Sequence, residues 1–206
     1  MFNSYSLKYI LLKYIFLTIL FLSAFISYGQ FEIKKENLTK SKVTYWDFKK
    51  TKIQSRGKYY KDGFGETTDK HGKWTYYDKA GTIQEVRNYY KEGLNGSVVL
   101  YYANGKKKQL GYFKHNHQDS VYFEWHENGN PKVEGEYDNN YAVGIWNYYY
   151  FNGTLKSVEE VKGKDNYLLE FYLPDSLHTQ TIIDGEGELV TYYSSGTVKE
   201  WYNYKD

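Results

Sequence analysis

Five histidines, His71, His115, His117, His126 and His178, are the side chains of this 206-residue chain best suited to moving protons or holding a metal. His115 and His117 are separated by one residue, so on an extended strand their rings would share a face, with Asp119 two positions further on. That H-x-H-x-D spacing matches no zinc or calcium ligand pattern, and the chain reads there as a turn. His126-Glu127 has no serine or cysteine at a matching position to activate, and there is no G-x-S-x-G, H-E-x-x-H or phosphate-loop pattern. Among the acids, Asp184, Glu186 and Glu188 alternate with glycines but lack the twelve-residue calcium-loop pattern. Glu159 and Glu160 are adjacent in a strand pattern and so point to opposite faces, which prevents joint acid–base work on one substrate. Asn37, Asn95 and Asn152 begin Asn-x-Ser/Thr triplets, the last two inside turn sequences. Neither an enzyme nor a cofactor is expected.

The elements that would have to position such residues are marked by composition. The chain holds 26 tyrosines, 11 phenylalanines and five tryptophans, 20% aromatic in all, which excludes disorder. Eighteen glycines against two prolines exclude a proline-rich linker, and the absence of cysteine excludes a disulfide scaffold or a thiolate metal site. The 27 basic residues exceed the 25 acidic ones by two. Lys8 and Lys13 supply that excess, so the chain beyond residue 29 is formally neutral and no nucleic-acid partner is expected.

Residues 1–29 read as a secretory signal. Lys8 and Lys13 form a basic start, Tyr14 to Ile26 is an uncharged apolar run, and Ser27 and Gly29 supply small residues before a cleavage point at Gln30. The stretch resembles bacterial secretory signals. The rest of the chain is therefore expected outside the cytoplasm, periplasmic or secreted, with no membrane association once the leader is removed; the alternative is that the segment is kept as an uncleaved N-terminal anchor. Residues 30–40 are expected to be a linker.

A repeat organises residues 41–206. Gly81, Gly105, Gly129 and Gly153 stand 24 residues apart, and so do Gly72, Gly96, Ser120 and Gly144. Two shorter copies follow at 166–175 and 187–196, and a first, degenerate copy begins near Ser41 with six extra residues before Gly72. Each unit carries seven or eight strand-forming residues, then Asn-Gly or a similar pair, then a second alternating run, which predicts a β-hairpin. Asn104-Gly105, Asn128-Gly129 and Asn152-Gly153 predict tight two-residue turns in which both residues take positive φ. The expected fold class is all-β: an elongated single-layer antiparallel sheet of about seven repeated hairpins.

The pattern G-x-(W/V)-x-x-Y-Y-x-x-N-G-x-x-K, followed by a tyrosine-bearing strand and a polar-glycine turn, resembles the variant MORN repeat. Arrays of that kind are often labelled YwqK-type antitoxin. The resemblance implies successive hairpins in one long twisted sheet. The chain departs from it where the later units shorten and Pro174-Asp175 replaces Asn-Gly.

Five positions after each opening residue stand Tyr77, Tyr101, Trp125, Tyr149, Phe171 and Tyr192, all aromatic. Two positions after it stand Trp74, Val98, Tyr122, Trp146, Leu168 and Leu189, on the opposite face by strand parity unless a bulge intervenes. The position-five rings are expected to stack as the core of a one-layer sheet, and they are also the candidate partner-binding residues. The expected function is that of a non-catalytic exported repeat protein, a scaffold binding another protein through its aromatic surface. The alternatives are a cell-envelope glycan binder or, by family label only, an immunity or antitoxin-like protein. Open sheet ends offer a route to oligomerisation.

Overall fold

The computed structural model describes residues 34–174, 177–192 and 197–204. The expected leader, residues 1–29, lies outside the described residues. No described helix is long and apolar enough to cross a membrane.

Among the described residues fourteen strands form one sheet in chain order. The first seven are β1 Lys42–Tyr45, β2 Ile53–Asp62, β3 Gly65–Tyr77, β4 Ile83–Tyr90, β5 Gly93–Tyr101, β6 Lys107–Lys114 and β7 His117–Trp125. The rest are β8 Pro131–Asp138, β9 Tyr141–Tyr149, β10 Leu155–Lys162, β11 Asp165–Tyr172, β12 Gln180–Ile183, β13 Glu186–Tyr192 and β14 Val198–Tyr204. Each strand pairs antiparallel with the next, so the described residues form seven hairpins laid edge to edge. The six extra residues of the first copy lengthen β2 and β3 to 10 and 13 residues and leave Phe64 exposed at their turn. Part of the expected linker is tied to the sheet. Leu38 bridges Tyr60, and Thr39, 4% exposed, exchanges hydrogen bonds with the Tyr59 backbone.

The turns correct the sequence expectation. At Asn104-Gly105 the loop has three residues: Gly105 N–H donates to Tyr102 O, and Tyr102 N–H donates to Lys106 O. Gly105 alone takes positive φ, at 80°, while the Asn104 side chain accepts from Lys106 N–H at 3.0 Å. The loops closed by Gly81, Gly129 and Gly153 repeat this pattern of backbone bonds. Their asparagine or aspartate therefore acts as a side-chain acceptor, not as a left-handed residue.

The two-residue left-handed turns lie instead between hairpins. Lys91-Glu92, His115-Asn116 and Asn139-Asn140 all have φ between 49° and 72°. These turns are tied to one another across units. Asn116 N–H donates to Leu94 O while its side chain accepts from Leu94 N–H at 2.6 Å; Asn140 does the same to Gln118. Such double capture explains why costly conformations persist there without glycine.

Burial is organised by the position-two residues. Trp74, Val98, Tyr122 and Trp146 are at most 8% exposed, on what is here termed the core face. A single layer buries them by laying each ring across the neighbouring strand. Opposite the rings stand Gly57, Gly111 and Gly135, and a Cβ on Gly57 would fall 2.2 Å from Trp74. Opposite the small Val98 stands Arg87, whose guanidinium lies over the Tyr76 ring at 5.3 Å and bonds Glu85 at 2.6 Å. Ring with glycine, or valine with arginine, fills the same volume. Tyr59 and Tyr76 then flank Trp74, and Tyr137 packs between Tyr122 and Trp146 at centroid distances of 5.4 and 5.2 Å.

Candidate functional site

The position-five residues stand on the other face, in register on every second strand, roughly 10 Å apart. Tyr77, Tyr101, Trp125 and Tyr149 are half-buried there, so the expected stacking core is not this row but the position-two row. A ring on an open face keeps one side accessible unless a neighbouring element covers it. Contacts of several kinds hold the ladder residues in place. Trp46 Nε1 donates to the Tyr77 carbonyl at 3.1 Å, and Trp125 stacks on Phe123 with centroids 5.9 Å apart. Lys107 lies over Trp125 at 5.8 Å, and the Tyr149 hydroxyl donates to Glu134 at 2.8 Å. Val99, Leu110, Val121 and the exposed Ile145 fill the intervals, giving a strip of rings and aliphatic groups from β3 to β9.

Phe171 does not belong to that ladder. The register between β10 and β11 shifts between Val158 and Glu159, inserting Leu169, so Phe171 turns to the core face and is 6% exposed against Ile182 at 0%. Tyr192 ends β13, and its side chain lies outside the description.

The residues considered for chemistry are held structurally. His115 takes φ of 50° in a turn, and His117 Nδ1 sits 2.8 Å from Asn140 Nδ2. His126 Nε2 faces the Tyr149 carbonyl at 3.3 Å and its ring packs on Phe151. Among the described residues no group of three His, Cys, Asp or Glu side chains is arranged to hold a metal. Burial pushes the Glu159 carboxyl above its ordinary range, whereas Glu160 pairs with Lys162 at 2.9 Å. On the core face Glu124 is partly buried, but hydrogen bonds from Lys132, at 2.8 Å, and from Tyr122 outweigh that burial and hold its carboxyl below the usual range. Burial first, and the Glu124 bond second, push the Tyr122 hydroxyl well up.

One feature escaped the sequence reading. Next to Tyr77 on the ladder face, Arg56 and Lys58 of β2 and Lys73 of β3 line a groove of about 340 Å³ with Leu38, His71 and Thr75. His71 is 1% exposed, ringed by Tyr60 and Tyr90, and its Nδ1 accepts from Lys91 N–H at 3.1 Å. Burial and the charge of Lys91 lower its pKa, so it is neutral at neutral pH, with the proton on Nε2. Composition hid the three cations because the chain's charges balance overall. The signal that finds them is comparison of equivalent positions across the repeats.

These observations define a class: an open antiparallel sheet of tandem hairpins with one packed face and one aromatic face. The family model described as "MORN repeat variant" matches residues 70–92, 94–115, 118–139 and 142–162, so the stretch from Lys70 in β3 to the end of β10 is similar to four such repeats. No curated protein sequence matches the chain significantly.

Proposed function

We propose that the protein is a non-catalytic, exported binding module that grips another protein with its ladder face. The reading is carried by the half-buried row Tyr77, Tyr101, Trp125 and Tyr149, which recurs in register although the core is built on the opposite face. Rings not needed for the packed face, and interleaved with aliphatic residues, suit a protein surface, where tyrosine and tryptophan supply contact area at low entropic cost. Export rests on the leader pattern of residues 1–29, and MORN repeats form sheets suited to binding.

A photo-reactive side chain placed at Tyr101 on the ladder face, or at Leu100 on the core face, tests this in the producing cell. A discrete protein adduct from position 101 alone is expected. Equal adducts from both positions, or none from either, would overturn the reading, and a carbohydrate adduct would replace it with an envelope-glycan binder.

A further inference from the structure

The groove beside Tyr77 has an internal control, because the same scaffold recurs in the next units. Strand pairing places Arg56 opposite Thr75, and the equivalent pairs are Val86 with Val99, Leu110 with Phe123, and Glu134 with Asn147. By the same register Lys58 corresponds to Asn88, Tyr112 and Glu136, and Lys73 to Ser97, Val121 and Ile145. Each of these three copies is apolar, neutral or acidic at all three positions; a cation recurs only as Lys42 at the Lys73 position of the unit that begins at Ser41, and it is paired with Glu66. The repeat fold therefore forms without these charges, and they are not there to build the sheet.

Nor are they neutralised. All three side chains are exposed, no carboxylate lines the groove, and none of the ion pairs among the described residues involves Arg56, Lys58 or Lys73. Of the acids on the neighbouring strands, Glu66 pairs with Lys42 at 2.8 Å and Glu92 with Lys70 at 3.2 Å, and Asp69 of β3 is not among the residues that line the groove. Three unpaired cations around one concavity make a site for negative charge.

The spacing suits an extended acidic chain. Arg56 and Lys58 are two residues apart on β2, about 7 Å along the strand, and Lys73 lies on the adjoining strand roughly 5 Å across. An extended peptide with acids at alternate positions carries its carboxylates at that same interval of about 7 Å. Thr75 lines the groove, and Tyr77 follows it two residues later on the same face, so a chain leaving the groove passes onto the ladder.

We infer that the groove of Arg56, Lys58 and Lys73 docks an extended acidic segment, with glutamate or aspartate at alternate positions, of the protein partner gripped by the ladder. This rests on the ladder face being the partner surface and adds to it a partner chemistry and a docking direction, acidic end toward β1–β3.

The test is an anisotropy titration of the full chain with a labelled peptide of alternating glutamate and threonine, against its glutamine–threonine counterpart. The acidic peptide is expected to bind at least tenfold tighter, with affinity falling as salt rises. The triple variant Arg56→Gln, Lys58→Gln, Lys73→Gln should lose at least tenfold. Lys114→Gln, Lys164→Gln, Lys199→Gln, exposed lysines elsewhere in the sheet unit, should change it less than twofold. Equal loss in both triples would reduce the effect to net charge and overturn the site. Full competition by inorganic phosphate at equal charge concentration would overturn the peptide reading in favour of a single-anion subsite. Groove-dependent sedimentation with phosphatidylglycerol vesicles, without peptide binding, would overturn it in favour of a membrane surface. The titration scores the groove and the photo-adduct at Tyr101 scores the ladder, so the two readings fail separately.

Discussion

Gly135 and Trp146 occupy one volume on the core face: a Cβ on the glycine would lie 2.3 Å from the indole. Gly57 and Trp74 repeat the relationship at 2.2 Å, and the Trp74 indole N–H reaches the Lys58 carbonyl at 2.9 Å. A bare strand backbone under a flat ring is how a sheet with no second layer excludes water, and it is why glycine sits inside these strands.

Gly135→Ala should therefore destabilise the protein by about 1–3 kcal/mol, the usual cost of overpacking a filled site. Gly111→Ala should cost under about 1 kcal/mol, because its nearest neighbours are the flexible Gln118 amide at 3.2 Å and Tyr122 at 3.7 Å. Pairing Gly135→Ala with Trp146→Val should cost less than the sum of the two single changes, because the alanine Cβ fills part of the space the indole leaves. A double-mutant cycle in urea reads the coupling, and simple additivity would refute the shared volume.

Ser120 holds φ of 72° at a position where Gly72, Gly96 and Gly144 stand in the equivalent units. Ser120→Gly relieves roughly 1–2 kcal/mol of left-handed strain. Against that, it loosens the unfolded chain by about 0.4–1 kcal/mol. The expected net is a gain of about 0.5–1 kcal/mol, seen as a higher denaturation midpoint. Gly144→Ala should move the other way by conformation alone, since its Cβ would meet nothing within 4 Å.

The period of 24 made the single sheet, its strand order and its hairpin count legible, because each copy repeats the same strand and turn signals. Strand parity also placed position two and position five on opposite faces correctly in the four units from Gly72 to Gly153, but not at Phe171. It could not say which face packs, since that depends on what lies across the strand, and Gly57, Gly111 and Gly135 answer that only once register is known. The Asn-Gly pairs misled for a related reason. Asparagine serves a left-handed turn or a side-chain acceptor equally well, and only loop length separates the two. The Leu169 bulge was invisible because an inserted residue in a shortened unit leaves the aromatic pattern intact.

His71 gives the fold a pH signature. Its pKa is lowered from the ordinary 6.5 by burial and by Lys91, so the unfolded chain binds its proton more readily than the folded one. Stability from this group is full above about pH 6.5 and falls as pH drops below that value toward the folded pKa. Protonating Nδ1 would also cost the Lys91 N–H its acceptor. Urea midpoints between pH 8 and 5 should fall for the wild type and flatten for His71→Asn, which installs the residue found at Asn95. An unchanged slope would assign the effect to other groups.

Phe171 and Tyr101 share one place in the repeat and should behave oppositely. The Leu169 bulge carries Phe171 to the core face, where it is 6% exposed and paired with Ile182, whereas Tyr101 stays half-buried on the ladder. Phe171→Ala opens a cavity and should cost about 3–5 kcal/mol. Tyr101→Ser removes only one side of a ring's contacts and should cost roughly 1 kcal/mol, near the average for a point substitution. Binding should invert the order: Tyr101→Ser abolishes capture of the partner under conditions where folded Phe171→Ala retains it. If both substitutions lowered stability alike and left capture alone, the ladder would be packing and not a docking face.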